Sequence, residues 1–198
     1  MISHKLLRYY SASLQKIEKE EIVFNKGEHA HFYYQIKSGE IKMNNYGQDG
    51  KEFIQSIFYK GQSFGEPPLF ADIVYPAGAE AIIDSEVFKL PKSDFYQLLK
   101  ENPDIHFEMS EVLSLRLYYK AIIASTMSSE EPEKRILKLF DYVKEHVHHL
   151  NEDEQFEVDL KRQQIADLTG LRVETVIRAC KSLAEKSEIQ IVKRKIIR

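Results

Sequence analysis

Residues 161–186 read KRQQIADLTGLRVETVIRACKSLAEK, and this stretch predicts two short helices joined by a tight turn. The first helix is expected from Lys161 to Leu168 and the second from about Val173 to Lys186. Thr169-Gly170-Leu171 supplies the turn, because glycine adopts the required positive φ angle at the least cost. The pattern is that of a helix-turn-helix, a motif that inserts its second helix into the major groove of DNA.

The second predicted helix separates its apolar and polar residues onto two faces. Val176, Cys180 and Leu183 recur at helical spacing and are expected to face inward. The outward stripe consists of Glu174, Ile177, Arg178 and Lys181. Arginine can donate two hydrogen bonds to guanine and glutamate can accept one from cytosine, so this face suits the reading of bases. The alternative is an ordinary helical hairpin with a solvated charged face.

Local charge and the residues that follow favour DNA over that alternative. Residues 161–198 hold ten Lys/Arg against four Asp/Glu, a net charge of +6; because the whole chain carries −3, the other 160 residues carry −9. A basic end on an acidic body indicates a local site for a polyanion. Ile189-Gln190-Ile191-Val192 and Lys195-Ile196-Ile197 then predict a small hairpin, the wing of a winged helix-turn-helix.

The N-terminal half has a different pattern. From about Glu21 to Pro91, short apolar runs alternate with turn residues roughly every 8–12 positions, which is typical of a β sandwich or barrel. Ser93 is expected to cap a short helix that ends at Lys100. Asn102-Pro103 then opens a long apolar helix that reaches about Met127, since proline is well placed at a first helical position. The polar stretch Ser128-Ser129-Glu130-Glu131-Pro132 is interpreted as a hinge and domain boundary.

The long helix is predicted to have two apolar faces. One is a seam with alternating steps of three and four residues, made of Val112, Leu115, Tyr119, Ile122 and Thr126. The other is made of Met109, Leu113, Leu117 and Ile123. Such a helix can pack on its own domain and on a partner helix, whereas a single buried helix is the alternative. A further amphipathic helix is indicated by Ile136, Leu139, Phe140 and Val143.

Composition excludes several classes of protein. Cys180 is the one cysteine, so a single chain cannot build a disulfide framework, a cysteine-rich zinc site or an iron–sulfur cluster. The N-terminus lacks the long apolar run of a signal peptide, and no stretch approaches the ~18 apolar residues of a membrane span. We therefore expect a cytoplasmic protein that does not contact membranes.

The segment Leu171-Arg172-Val173-Glu174-Thr175-Val176-Ile177-Arg178 resembles the recognition-helix signature of the Crp/Fnr family. Gly39 lies in the early turn expected for that family, and Phe64-Gly65-Glu66-Pro67-Pro68-Leu69-Phe70 resembles its effector-pocket turn. The resemblance covers essentially the whole chain, in the family's order of parts. It implies a transcription regulator, not an enzyme, that forms a homodimer, binds pseudo-palindromic double-stranded DNA and contacts RNA polymerase, with no cofactor.

The fold class implied by the resemblance is α+β. An N-terminal double-stranded β-helix, or jelly-roll-like β-roll, is expected over residues 1–103 as the sensor domain. A dimerisation helix is expected over residues 104–128, and a C-terminal winged helix-turn-helix domain over residues 129–198.

Nine residues are expected to contact DNA: Arg162, Gln163, Arg172, Val173, Glu174, Thr175, Ile177, Arg178 and Lys181. The resemblance implies that Arg178 and Glu174 read the G·C pair of a TGA core. Val173 stands where the Crp branch has an arginine, so the half-site is expected to be more like TTGA than GTGA. Ile177 can touch a thymine methyl group but cannot donate a hydrogen bond. Arg172 replaces the usual Ser or Thr N-cap and cannot accept a backbone N–H, so we expect it to contact a phosphate.

The candidate effector-pocket residues are Gly65, Glu66, Pro76, Ala77 and Tyr119, although Tyr119 could instead pack in the dimer seam. In family members that bind cyclic AMP, an Arg-Ser pair holds the cyclic phosphate at the place of Pro76 and Ala77. Neither residue offers a charge or a side-chain donor, so a cyclic phosphate would be poorly paired. We therefore expect an unidentified small-molecule effector other than cyclic AMP, held near Gly65 and Glu66; the alternative is a roll that no longer binds a ligand.

A different class of protein competes with this interpretation. His29-Ala30-His31 on a β-barrel could be two metal ligands of a cupin-like metalloenzyme with an accessory helical domain. That pattern requires a Glu about four residues later, where this chain has Gln35, and a further His after residue 78 in the barrel, which is missing. His146, His148 and His149 are expected to interact with helix-end carbonyls or solvent. We therefore predict no metal site.

Overall fold

The structure is a computed structural model that describes residues 2–47, 50, 52–127, 131–148, 150–151, 153–193 and 195–198. Side chains are described for the same residues except Tyr119, Ile122, Ile123, 125–127 and Val147. The chain divides into two compact units, residues 1–115 and residues 116–198.

The first unit is built around two antiparallel sheets, each with four strands among the described residues. Its elements are α1 (His4–Tyr9), β1 (Ser13–Ile17), β2 (Ile22–Phe24), β3 (Phe32–Ser38), β4 (Glu40–Tyr46), β5 (Glu52–Tyr59), β6 (Ser63–Phe64), α2 (Glu66–Ala71), β7 (Gly78–Ala81), β8 (Ser85–Pro91), α3 (Lys92–Glu101) and α4 (Pro103–Met127), which continues into the second unit. The strand orders are β1-β8-β3-β6 and β2-β7-β4-β5. The β-roll expected from the sequence is confirmed.

Aromatic rings from the two sheets meet inside the roll. Phe24 of β2 packs against Tyr34 of β3 with 5.7 Å between ring centroids, and Phe58 of β5 packs against Phe64 of β6 at 5.9 Å. All four side chains are buried, and burial raises the pKa of the Tyr34 hydroxyl to about 12. A buried ring contributes about 1.5–3 kcal/mol, so these contacts hold the two sheets together.

The N-terminal segment is anchored to the roll through a buried glutamine. Ile2 and Leu7 are buried, and the Gln35 side chain of β3 donates from Nε2 to the carbonyl of Ile2 at 2.9 Å. The same amide accepts a hydrogen bond from the Tyr33 hydroxyl at 2.8 Å. Because both ends of the Gln35 amide are paired, it can be buried at little cost.

The start of α3 differs from the sequence prediction. Pro91 is the N-cap residue, and Ser93 lies inside the first turn, where its hydroxyl donates to Asp94 at 3.0 Å. The expected cap at Ser93 is therefore wrong. The physical reason is that Pro91 is also the last residue of β8, so the helix begins directly where the strand ends.

Helix α4 begins at Pro103 and reaches Met127 as predicted. Met109 is buried and Leu113 packs against the core of the roll, but Leu117 of the same predicted face is 70% exposed. The second predicted apolar face is therefore buried at Met109 and partly buried at Leu113 but exposed at Leu117.

The second unit contains the predicted helical hairpin and wing. After the end of α4, its elements are α5 (Pro132–Tyr142), a π-helical turn (Val143–Val147), β9 (Glu157–Val158), α6 (Arg162–Thr169), α7 (Val173–Glu185), β10 (Gln190–Val192) and β11 (Lys195–Ile197). The sheet order is β10-β11-β9, so the predicted hairpin gains a third strand. Of the predicted hinge, Ser128, Ser129 and Glu130 lie outside the described residues.

One glycine of the roll is required by a close approach between strands. Gly39, between β3 and β4, has φ +95°, and a Cβ atom there would lie 2.6 Å from Ser85 Cα. Gly27 has a similar φ of +88° but no atom within 4 Å of the same position. A comparison of alanine substitutions at Gly39 and Gly27 therefore separates the cost of backbone strain from the cost of steric overlap.

We expect Gly39→Ala to lower the free energy of unfolding by more than about 3 kcal/mol, because strain and overlap add. Gly27→Ala is the matched control and should cost about 1–2 kcal/mol, from strain alone. Urea denaturation measures both values. Equal costs for the two variants would show that the Ser85 contact does not constrain the roll.

Candidate nucleic-acid interface

A side-chain hydrogen bond marks the start of α6, and a left-handed glycine marks its end. At its start, the Gln164 side chain accepts a hydrogen bond from the backbone N–H of Lys161 at 2.7 Å. At its end, Gly170 adopts φ 67° and donates its N–H to the carbonyl of Ala166. A left-handed residue at this position is favourable for glycine and terminates the helix, which confirms the predicted turn.

Helix α7 starts without a side-chain cap, as predicted from Arg172. Arg172 is in an extended conformation, and its carbonyl accepts from the N–H groups of Thr175 and Val176 at 2.9 and 3.0 Å. Its exposed guanidinium makes no capping bond. The side chain is consequently available for a ligand outside the helix.

The buried face of α7 is the predicted apolar stripe. Val176, Cys180 and Leu183 are at most 1% exposed, and burial raises the pKa of the Cys180 thiol. Ile136 and Phe140 of α5 are fully buried in the same unit, in which α5 and α7 pack together. Cys180 is thus a core residue, as the sequence predicted.

The exposed face of α7 brings four predicted DNA contacts together. These side chains, spaced i, i+3, i+4 and i+7, are Glu174, Ile177, Arg178 and Lys181. Ile177 is 52% exposed, which is a large fraction for an isoleucine. Val173 and Thr175, also predicted contacts, are half-buried at the N-terminal end of the same helix. One surface therefore offers a cation, an anion and an apolar group at adjacent positions.

Arg162 and Gln163 begin α6. Gln163 donates from Nε2 to the buried carboxylate of Asp167 at 2.9 Å, and Asp167 is 3% exposed. Arg162 is half-buried, and its positive charge acts on Cys180 of α7. Sequence reasoning missed Asp167 as the residue that orients Gln163, although the spacing of four residues was a usable signal.

Two ion pairs, also missed from the sequence, attach α5 to its neighbours. Glu133 at the start of α5 pairs with Lys186, the residue that follows α7. Arg198 donates from Nε to Asp141 of α5 at 2.8 Å and from Nη1 to the carbonyl of Glu188 at 2.8 Å. These pairs lie far apart in sequence, so no local pattern could have revealed them.

One predicted effector residue of the roll, Gly65, lies against a pair of stacked rings. Gly65 adopts φ 76°, and a Cβ there would lie 3.1 Å from the ring of Phe24 and 3.2 Å from that of Tyr75. Phe24 and Tyr75 stack with 3.6 Å between centroids. Glu66, the first residue of α2, is buried at 1% exposure. The structure thus places Gly65 beside the turn that starts at Tyr75.

The remaining predicted pocket residues differ in their exposure to solvent. Pro76 is exposed, whereas Ala77 is fully buried. Tyr119 lies on α4, and its side chain is outside the described part of the structure.

The structure also shows the positions of the histidines on which the metalloenzyme interpretation depends. His29 and His31 are exposed, with 6.4 Å between their ring centroids. Among the described residues, no group of three or more His, Cys, Asp or Glu side chains is arranged to hold a metal ion. His149 lies outside the described residues.

In the described part of the chain, no helix is long and apolar enough to cross a membrane.

Comparison with known proteins gives matches to both units. The cyclic nucleotide-binding domain matches residues 14–102, and the Crp-like helix-turn-helix domain matches residues 134–198. The cAMP-activated global transcriptional regulator CRP of Pasteurella multocida is 25% identical over 174 residues, which cover 87% of this chain and 83% of that protein. FixK2 from Bradyrhizobium japonicum has a similar structure, with a TM-score of 0.75 at 21% identity over 94% of this chain and 91% of that one.

A fungal enzyme also matches part of the chain. Lysophospholipase NTE1 of Phaeosphaeria nodorum is 23% identical over 132 residues. The match covers 66% of this chain but spans 9% of the length of that relative.

The Glu133–Lys186 pair predicts a pH dependence of stability. The hydrogen bond from Lys186 holds the pKa of Glu133 below its usual value of 4.5. The folded state therefore binds this proton less readily than the unfolded chain. The pair stabilises the fold above the unfolded pKa, and that stabilisation is lost as the pH falls through the lower, folded pKa.

We expect Lys186→Met to lower the melting temperature at about pH 6 and to have progressively less effect down to about pH 3. Lys181→Met, which removes an exposed lysine within α7, should give the same small effect throughout this range. Thermal unfolding followed by circular dichroism measures both. A Lys186→Met effect that is independent of pH would contradict the assignment.

Proposed function

Because the chain belongs to the Crp/Fnr family of transcription regulators, we propose that it is a dimeric, sequence-specific DNA-binding regulator whose effector is not cyclic AMP. The observation that carries the proposal is the exposed stripe on α7, formed by Glu174, Ile177, Arg178 and Lys181. The opposite face of this helix is buried, so the stripe is held in a fixed orientation. RNA polymerase is proposed as the protein partner on the basis of the family.

Base reading is assigned to the stripe and phosphate binding to its surroundings. The Arg178 guanidinium matches O6 and N7 of guanine, and the Glu174 carboxylate can accept from N4 of cytosine. Val173 has no donor, and Ile177 can contact a thymine methyl group. We propose a pseudo-palindromic site with TGA-containing half-sites, more like TTGA than GTGA. Thr175 and Lys181 flank the bases on the same helix.

Arg162, Gln163 and Arg172 are assigned to the phosphate backbone. Contacts of this type fix the position of a protein on DNA without choosing a sequence. The buried Asp167 supports this role, because it holds the Gln163 amide at the start of α6.

Arg178→Ala is expected to cost about 1–3 kcal/mol on the preferred site and to flatten discrimination at one G·C pair. Arg162→Ala is the matched control: it should weaken all sequences alike and reduce the dependence of affinity on salt. Selection from random duplexes, followed by titration at several salt concentrations, measures both effects. Enriched sites without a TGA core, or an unchanged base preference in Arg178→Ala, would refute the assignment.

Dimerisation is assigned to α4. Apolar side chains on this helix remain in contact with solvent: Phe107, Leu115, Leu117 and Tyr118 are 76%, 41%, 70% and 62% exposed. Between them, Ser114 donates its hydroxyl to the carbonyl of Ser110 at 2.8 Å, so this small side chain is already paired. Leu115 belongs to the predicted seam, and Tyr118 lies three residues later, on a neighbouring part of the helix surface. Exposed apolar side chains of this kind usually mark an interface, so we assign the seam to a second helix.

Light scattering is expected to give a dimer at micromolar concentration. Leu115→Glu should raise the dimer dissociation constant by at least about ten-fold, because a leucine buried in the dimer seam contributes about 1.5–3 kcal/mol. Ile83→Glu is the control. Ile83 is also an exposed apolar residue, at 45%, but it lies outside α4, so this variant should leave the dimer intact. A monomeric parent chain, with and without DNA, would overturn the proposal.

The proposal against cyclic AMP follows from the composition of the roll turn. Pro76 and Ala77 provide no charged donor for a phosphate, and charge-assisted hydrogen bonds are worth roughly 1.5–3 kcal/mol each. The face of Gly65 is covered by the rings of Phe24 and Tyr75. Calorimetry with cyclic AMP is expected to give no binding tighter than about 10 μM. A lower dissociation constant would contradict this expectation.

The metalloenzyme alternative is not favoured. The family consists of transcription regulators, and the match to lysophospholipase NTE1 spans 9% of that enzyme.

A further inference from the structure

A groove of about 570 Å³ runs between the start of α5 and one side of α7, within the second unit. The residues that line it come from both helices and from the position before α5; they are Glu131, Pro132, Glu133, Thr175, Arg178, Ala179, Ser182 and Lys186. Arg178, Ser182 and Lys186 are four residues apart, so they form one row along α7. Because Arg178 also belongs to the exposed stripe, the groove begins beside the proposed DNA-reading surface.

The three residues of this row differ in their partners. Lys186 pairs with Glu133, and a hydrogen bond from Ser182 also lowers the pKa of that carboxyl group. Arg178 is exposed and makes no hydrogen bond or ion pair with another described residue. A free guanidinium can bind either a phosphate or a guanine, because both present two acceptor atoms to its planar fork. The groove therefore leaves open which of the two Arg178 binds.

Glu131 places a negative charge in the groove. It is exposed, and as the N-cap residue of α5 it makes no capping hydrogen bond through its side chain. The pKa of Lys186 is raised by its hydrogen bond with Glu133 and also by the charge of Glu131. That charge thus acts on the α7 side of the groove, which Arg178 also lines. Glu174 is one helical turn from Arg178 but lies on the stripe, outside the groove.

The start of α5 is unfavourable for phosphates. A helix N-terminus ordinarily attracts them through its free N–H groups and the positive end of the helix dipole. Here the first helical residue is Pro132, which has no N–H, and Glu131 and Glu133 flank it. Lys186 neutralises Glu133, so Glu131 is the carboxylate that would repel a phosphate entering the groove. A base edge carries no net charge and meets Arg178 on the stripe, so it escapes this repulsion.

We propose that Glu131 is a specificity-determining residue that keeps phosphates away from Arg178 and so reserves this guanidinium for guanine. Non-specific binding to DNA depends on phosphate contacts, so a phosphate held by Arg178 would strengthen binding at every sequence. Exclusion of that phosphate increases the preference for the correct site. The inference rests on the DNA-binding function proposed above and adds a residue outside the nine proposed contacts.

Glu131→Gln removes the charge and keeps the size of the side chain. Fluorescence anisotropy of the full chain with a TGA-containing duplex and with a random-sequence duplex, at several salt concentrations, measures the effect. The ratio of the two affinities should fall at least about three-fold, the size expected for an exposed charge interaction. The salt dependence of binding to the random duplex should steepen by about 0.9 in log–log slope, the value for one additional phosphate contact.

Two further variants separate this role from a general effect of charge. Glu185→Gln removes the same charge from an exposed residue of α7 that does not line the groove, and it should leave the affinity ratio and the slope unchanged. Glu131→Gln combined with Arg178→Ala should have the slope of Arg178→Ala alone, because the phosphate is expected to bind through Arg178. An unchanged ratio or slope in Glu131→Gln overturns the proposal. Equal changes in Glu185→Gln, or a change that persists without Arg178, overturn it as well.

The same titrations distinguish failure of this inference from failure of the proposed function. A parent chain that prefers the TGA duplex while Glu131→Gln behaves like the parent overturns the role of Glu131 alone. A parent chain without that preference refutes the proposed base reading. The slope on the random duplex still tests Glu131 in that case, since it reports phosphate contacts at any sequence.

Discussion

Burial of one side of α7 is the constraint on which the DNA-facing surface depends. Val176, Cys180 and Leu183 are almost completely enclosed, and this fixes the rotation of the helix about its axis. A shift of one residue would rotate the helix by about 100° and turn Arg178 out of the exposed stripe. The ion pairs of Glu133 with Lys186 and of Arg198 with Asp141 add attachments on either side of α5. The proposed base contacts therefore rest on a packed apolar core and need little ordering when DNA binds.

The inner and outer faces of the roll are stabilised by different kinds of contact. On the inner face, Phe24 and Tyr75 stack tightly and cover Gly65, so the turn that resembles an effector pocket is filled by the protein's own rings. On the outer face of the β2-β7-β4-β5 sheet, Lys42 lies between Glu52 and Glu80, at 2.7 and 3.1 Å. Packing against aromatic rings stabilises the inner face, whereas ion pairs line the outer face.

Sequence patterns predicted the elements that have strong local signals. The helical hairpin follows from the apolar spacing of Val176, Cys180 and Leu183 together with Gly170, and the start of α4 follows from Pro103. Strand β9 was missed because two residues, Glu157 and Val158, pair with β11 nearly 40 residues later and have no periodicity of their own. The predicted cap at Ser93 was wrong because no local pattern shows that β8 ends at Pro91, directly where α3 begins. At the candidate interface, the position of each stripe residue was predictable, but the partners Asp167, Glu133 and Arg198 required the tertiary structure.

The pairing of β11 with β9 also sets an order of events during synthesis. Ile196 of β11 pairs with Val158, and Arg198 exchanges backbone hydrogen bonds with Phe156 at 2.9 and 3.0 Å. The last strand of the roll ends at Pro91 and its core is complete by Leu113, so the roll can close while the ribosome is still producing the hairpin. At about 5–20 residues per second, the roll has several seconds to fold before the wing is complete. The nascent chain can therefore close the roll while the partner strand of β9 is still being synthesised.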